Sequence, residues 1–353
     1  MGNFILAKFK CPPYLPIFEA KKTNMKISII SFDYWNYDCH IAKKLQEKGV
    51  EATHINMGTY RYKNFGEKIY NAASKIFLNR NIKHVKRQQY VLEYLSKIGL
   101  QDQILVLNPH TLDYKTISKI KSYTKHLITY LYDNLGRYPV ENKLDLFDQV
   151  YSFEDKDVFE HGFEKITNYN YLSDKPKSSQ RNQQDLFYIT SFDKKRIKTL
   201  RKIVSKLAQL HIKYKIVIVG KQVWKEKLNR FLTQNLNFKD VCLIKKPISI
   251  DEVLNEYEKS NVTLDLIRDG QEGLSFRVFE AMALEKKIIT DNPSILNYDF
   301  YDPQNILYVT KNLSNLTASF FESPYKRLPT DIFEKYTLDR WVDTVFNLKS
   351  DIN

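Results

Sequence analysis

Twice along the chain, short apolar runs of strand character alternate with stretches of helical period, and this alternation restricts the fold more than any other feature. "KISIISF" at 26–32 predicts a buried strand, "HIAKKLQEKG" at 40–49 a helix closed by Gly49, and "EATHIN" at 51–56 a second strand. Residues 65–98 keep a helical period with many basic positions; strands at 103–108, 126–133 and 149–154 follow, with a helix at 113–122. The pattern then restarts, with strands at 186–192, 215–221, 241–246 and 262–267 separated by helices at 194–210, 223–233 and 250–259. A further strand at 305–309 and helices over 331–349 close the chain. Strand, helix, strand in repetition builds parallel, doubly wound sheets, so the fold class is α/β. "SDKPKSSQRNQQ" is polar, poor in apolar residues, and reads as a linker over 173–184. The expected organisation is an arm or over-long start at 1–24, a first domain at 25–172, a second at 185–330, and terminal helices at 331–353.

A chain of 353 residues exceeds one typical domain and can bury a large core without staples. Its three cysteines, Cys11, Cys39 and Cys242, form no C-x-x-C pair, which argues against a disulfide framework or zinc site and for a reducing compartment. No apolar run approaches the length needed to span a bilayer, so a cytoplasmic location is the expectation. The opening Met-Gly suggests myristoylation, but Leu6 stands where the acceptor pattern wants Ser or Thr. The net charge of +14 admits nucleic acid, an anionic membrane surface or a phosphorylated ligand. The lysines and arginines read as spread along the chain, without an arginine-rich arm, which disfavours nucleic acid and suits peripheral contact with anionic lipid.

In open α/β sheets ligands bind beyond the carboxyl ends of the strands. That rule selects Ser191 and Arg196, Gly220 and Lys221, and the stretch Asp269–Glu280 in the second half. In the first half it selects Asp33, Tyr34, Trp35 and Asp38, then Asn108 and His110, then Asp133 and Asn134, then Ser152 and Glu154. "QEGLSFRVFEAMALEKKIIT", 271–290, joins a turn at Gly273 to an apolar helix and a short strand. A helix end there directs free N–H groups and a positive dipole into the crevice and attracts phosphate. Arg277 can add charge-assisted hydrogen bonds to a diphosphate, and Glu272 and Glu280 offer acceptors to hydroxyls. The plain alternative is an Arg277–Glu280 ion pair within the helix. Arg196 has a solvated basic face as its alternative, Asp133 a turn cap, and His110 a backbone-bonded turn histidine. As site residues, Asp133 and His110 would hold or deprotonate an acceptor hydroxyl. Asp38 and His40 have no third ligand nearby in sequence, so no metal is expected.

Glu272, seven residues, Glu280, then "AMA" and a strand resembles the E-x7-E signature of retaining glycosyltransferases with the GT-B fold. "GLSFRVFEAMA", "LYDN" and "VYSFE" are also similar to the spore-maturation-protein group of such transferases. The resemblance is strongest over 186–300 and implies two facing Rossmann-like domains with parallel sheets. It further implies a nucleotide diphosphate sugar as donor, a saccharide or lipid-linked acceptor, and no cofactor. Glu272 would approach the donor sugar, Glu280 the ribose, and Arg277 and Arg196 the phosphates. The chain departs from the pattern at Leu274 and Ser275, where Phe-Gly is usual, and at Glu285 and Lys287, where Gly and Pro are usual. It also has "FDYWNYD" in place of paired glycines after its first strand. A sugar-nucleotide 2-epimerase and a non-catalytic nucleotide- or nucleic-acid-binding protein are the rival readings.

Overall fold

The structure, a computed structural model, describes residues 24–33, 37–59, 65–77, 81–173, 183–220, 241–246 and 248–348. Two compact units divide the chain. The first runs to Ser152 and takes in His161–Glu164 and the chain from Val342; the second comprises Phe153–Glu160 and Lys165–Trp341. The chain thus changes unit at Ser152–Phe153, ahead of the polar 173–184 segment, most of which lies outside the described residues.

In the first unit β1 (Lys26–Ser31), β2 (Glu51–Asn56), β3 (Gln101–Val106), β4 (Thr124–Leu131), β5 (Gln149–Ser152) and the two-residue β6 (Glu164–Lys165) form one sheet in the order β2-β1-β3-β4-β5-β6. The ladders joining its first five strands are parallel. β1 buries five successive residues because helices cover both faces of a parallel sheet. The long helical stretch is two helices, α2 (Phe65–Phe77) and α3 (Ile82–Ile98), after α1 (Asp38–Glu47). Asn81 separates them, its side chain accepting the His84 N–H as an N-cap. α4 (Tyr114–Lys121) packs Ile117 and Ile120 onto Val91 and Leu95 of α3 in the main apolar cluster of this unit.

The second unit repeats the plan with β7 (Gln184–Ser191), β8 (Tyr214–Val219), β9 (Cys242–Ile244), β10 (Ser260–Asp265), β11 (Lys287–Thr290) and β12 (Ile306–Tyr308), ordered β12-β11-β10-β7-β8-β9 and parallel throughout. The helix predicted at 223–233 lies outside the described residues. α5 (Asp155–His161) precedes the sheet, and α6 (Lys194–Gln209), capped by Asp193, follows β7. α7 (Ile250–Glu258) opens on a reciprocal capping box between Ser249 and Glu252. α8 (Phe276–Ala283) joins β10 to β11. After β7 the chain moves toward β8, and after β10 it moves the other way toward β11. The order therefore reverses between neighbouring β7 and β10, which opens a crevice at their carboxyl ends. Among the described residues, no helix is long and apolar enough to cross a membrane.

Glu285 and Lys287, the departures after α8, have local explanations. Glu285 sits at φ 51, the left-handed turn that usually takes glycine. The buried Lys287 donates from Nζ to the carbonyl oxygens of Phe320 and Ser323 and to Ser323 Oγ, closing the end of the 318–322 helix. Glu285→Gly is expected to raise stability by about 0.5–1 kcal/mol through relief of that φ. A thermal unfolding midpoint checks it; a fall instead would mean that the Glu285–Arg327 ion pair outweighs the backbone.

Candidate functional site

The crevice of the second unit is walled by the loop from Leu266 to Ser275. Glu154, two residues past β5, is buried, and its Oε2 accepts the N–H of Glu272 and of Gly273, each at 2.8 Å. The carbonyls of the same two residues accept from Asn292 Nδ2 at 3.0 and 3.3 Å, and Gln271 Nε2 adds a bond to the Gly273 carbonyl. Asn168 holds the next carbonyl, that of Leu274, at 2.9 Å. The glycine serves close approach and not a left-handed turn: a Cβ on Gly273 would lie 2.3 Å from the Phe153 ring and 2.4 Å from its carbonyl oxygen. Glu272 is left exposed at the crest.

Ser275 caps α8, its Oγ accepting the Arg277 N–H and donating to Asp265 Oδ1 at 2.6 Å. The amides of Leu274 and Ser275 donate to no protein group among the described residues. They are the N–H groups of this helix end that remain for an anion.

The structure gives both expected phosphate-binding arginines protein partners. Arg277 donates to Asp265 Oδ1 at 3.2 Å and to the Ile189 carbonyl at 3.0 Å, with its guanidinium 5.0 Å from the Tyr188 ring centroid. Burial works against its charge, yet Tyr257, Tyr188 and Asp265 around it hold it protonated more firmly than usual. Its ion pair is thus with Asp265, at the end of β10, and not the intrahelical one with Glu280. Arg196 is buried rather than part of a solvated face, and donates to the Leu266 carbonyl at 2.6 Å and to Thr190 Oγ1. Glu280 is buried and accepts from Tyr171 Oη at 2.8 Å. Ser191 Oγ accepts from Arg268 at 3.2 Å, and Lys195 pairs with Asp269 at 3.3 Å. Lys221 lies outside the described residues.

Glu272, Gly273, Arg277, Glu280, Arg196 and Ser191 therefore gather around one loop and the two strands beneath it. Asp265, Asn292 and Arg268 are site residues that the sequence pattern did not single out. An aspartate closing an otherwise apolar strand was the available signal for the first; none marked Asn292.

In the first unit, His110 stacks on Tyr138 with ring centroids 4.1 Å apart, and Asp133 pairs with Arg137 at 3.0 Å. Burial and then Lys143 lower the His110 imidazole, with Asp133 opposing, so these two candidates share one cluster. A third ligand-type group also joins Asp38: ligand atoms of Asp33, Asp38 and His54 lie within 4.8 Å of one another, with His54 in place of His40. Burial and the Asp33 charge push Asp38 up to about 7, against hydrogen bonds from Tyr132 and Ser31. Burial takes His54 down to about 4.

Burial lifts Glu154 to about 7 from 4.5, against its two backbone donors, with Asp157 and Glu272 adding to the rise. The folded chain thus keeps a proton that the unfolded chain releases. The stabilisation is full below the unfolded value and is lost as pH rises through about 7, on the order of 3 kcal/mol. Glu154→Gln keeps an acceptor and cannot ionise, so urea-unfolding midpoints of the variant are expected to vary less between about pH 5 and pH 8. Parallel profiles would place the titration elsewhere.

Residues 173–305 match the family model described as Glycosyl transferases group 1. Curated protein sequences give no match. Among solved structures, the lipopolysaccharide outer core galactosyltransferase WaaB in its apo form superposes with TM-score 0.54 at 12% identity, covering 92% of this chain and 99% of that one. An alpha-glucosyltransferase in complex with UDP-glucose and DNA containing an abasic site gives 0.56 at 13% identity, covering 92% and 94%. Anabaena Alr3699/HepE in complex with UDP and glucose gives 0.55 at 10% identity, covering 92% and 98%. The fold is GT-B: two α/β units, each on a parallel sheet.

Proposed function

We propose that the protein is a glycosyltransferase that moves a sugar from a nucleotide diphosphate sugar to a saccharide or lipid-linked acceptor. The observation that carries the reading is the loop at the β7/β10 reversal, whose helix end keeps two unclaimed amides between an exposed Glu272 and a buried Glu280. The group 1 match covers this loop, and the superposable structures include complexes with UDP, UDP-glucose and glucose. The likeness to WaaB favours bacterial surface polysaccharide or lipopolysaccharide assembly.

The amides of Leu274 and Ser275 receive the diphosphate, and Arg268 and Lys195 at the rim supply positive charge as it departs. Glu272 takes hydroxyls of the transferred sugar. Glu280, oriented by Tyr171, takes the ribose hydroxyls. Arg277 and Arg196 act one step back, fixing the ends of β10 and β7 from which the loop and the amides hang. Two amides, the Arg268 guanidinium and the Lys195 ammonium would meet the leaving charge, so the proposed transfer calls for no resident metal or cofactor. In the E-x7-E resemblance the anomeric configuration is retained. Asp133 and His110 of the first unit would hold or deprotonate an acceptor hydroxyl.

A thermal-shift series across nucleotide sugars, followed by product analysis, tests this. One donor is expected to raise the unfolding midpoint, because a ligand that binds only the folded chain stabilises it. Glu272→Ala is expected to lower kcat on the order of a hundredfold with the fold intact. Indifference to every nucleotide sugar, or epimerised donor without transfer, would overturn the reading.

A further inference from the structure

The first sheet has a reversal of its own. From β1 the chain moves to β2 on one side, while β3 lies on the other, so the carboxyl ends of β1 and β3 open a crevice in this unit too. Asn108, two residues past β3, holds the Phe32 N–H there at 2.6 Å. Three side chains from three places in the chain converge nearby: Asp33 just past β1, Asp38 at the start of α1, and His54 on β2. One ligand atom of each lies within 4.8 Å of the other two. Donors about 2.1 Å from a common ion stand up to about 4.2 Å apart, so the cluster has little to tighten.

A carboxylate withdrawn from water needs a counter-charge or a proton. Asp38 is 3% exposed, and the groups that act on it are Asp33, Tyr132 and Ser31, none of them a cation. A proton would balance it, and so would a metal ion. The third member of the cluster favours the ion: His54 brings a nitrogen donor, and burial keeps its imidazole in the neutral form that ligates. Each of the three is also oriented by a neighbour. Tyr132 Oη donates to Asp38 Oδ1 at 2.6 Å, Ser31 Oγ bonds His54 Nε2 at 2.8 Å, and the Cys39 N–H donates to Asp33 Oδ2 at 3.2 Å. Outer contacts of this kind fix the ligands of metal sites. We propose that Asp33, Asp38 and His54 of the first unit bind one divalent transition-metal ion of the zinc type. An imidazole among the donors selects such an ion over magnesium or calcium, which take oxygen. The ion ties the turn after β1, the start of α1 and β2 to one another, a structural duty that neither rests on the transferase reading nor supplies a step to it.

The test is isothermal titration of the metal-stripped full chain with Zn2+, and with Mg2+ as the control, alongside Asp38→Asn, His54→Gln and Tyr132→Phe. Asp38→Asn keeps the shape of the protonated side chain and the acceptor for Tyr132, so its fold is expected to stand, which far-UV circular dichroism checks. The wild type is expected to bind one equivalent of Zn2+ more than Asp38→Asn or His54→Gln, and to gain an unfolding midpoint shift from it that both variants lose. Tyr132→Phe is expected to keep that equivalent at about tenfold weaker affinity, because it loosens Asp38 without removing a ligand. Zn2+ binding that is the same in the wild type and Asp38→Asn, whether absent from both or carried by other histidines and cysteines, would mean that a proton alone balances Asp38 and would overturn the proposal. Mg2+ bound as tightly as Zn2+ would overturn the part given to His54.

Discussion

A single buried carboxylate holds the loop on which the chemistry depends. Glu154 accepts two consecutive backbone N–H groups, and Asn292 donates to the two carbonyls of the same residues. A short loop at a sheet edge has four backbone polar groups to satisfy there, and burying any of them without a partner costs on the order of 1–3 kcal/mol. Two side chains from distant points of the chain satisfy all four. The loop is thereby fixed before any ligand arrives, which is what preorganised recognition of charge requires. The next amides along the loop, those of Leu274 and Ser275, donate to no protein group among the described residues.

The arginines follow the same logic. The Arg277 guanidinium, bonded to Asp265 and the Ile189 carbonyl, ties the ends of β7 and β10 together across the point where the strand order reverses. Arg196 does the same work between α6 and the start of the loop through the Leu266 carbonyl. Their planar forks suit several fixed acceptors at once, which a lysine ammonium would not hold in one geometry. The half-buried Arg268 and the exposed Lys195 bond to Ser191 and Asp269 and, among the described residues, to no backbone carbonyl.

How much of this could be read in the sequence varies with the range of the interaction. β2 runs over 51–56 as its pattern predicts, and most other strands fall within two residues of expectation, since strands buried on both faces announce themselves as apolar runs. The split of 65–98 into two helices was signalled by Asn81, a good N-cap, but the uninterrupted periodicity masked it. The two-residue β6 and the seven-residue α5 are too short to show a period. The loop glutamates were legible because their spacing is local. Glu154 stands 118 residues from Glu272 in sequence and Asn292 reaches back across a helix and a strand, so nothing in either neighbourhood announces the contact.

The most direct measurement is a crystal structure of the protein with a nucleoside diphosphate bound. The account expects the diphosphate oxygens within hydrogen-bond distance of the Leu274 and Ser275 amides, with Glu154 still on Glu272 and Gly273, and Tyr171 still on Glu280. A ligand bound away from the β7/β10 reversal, or one that reaches those amides only by displacing Glu154, would contradict it.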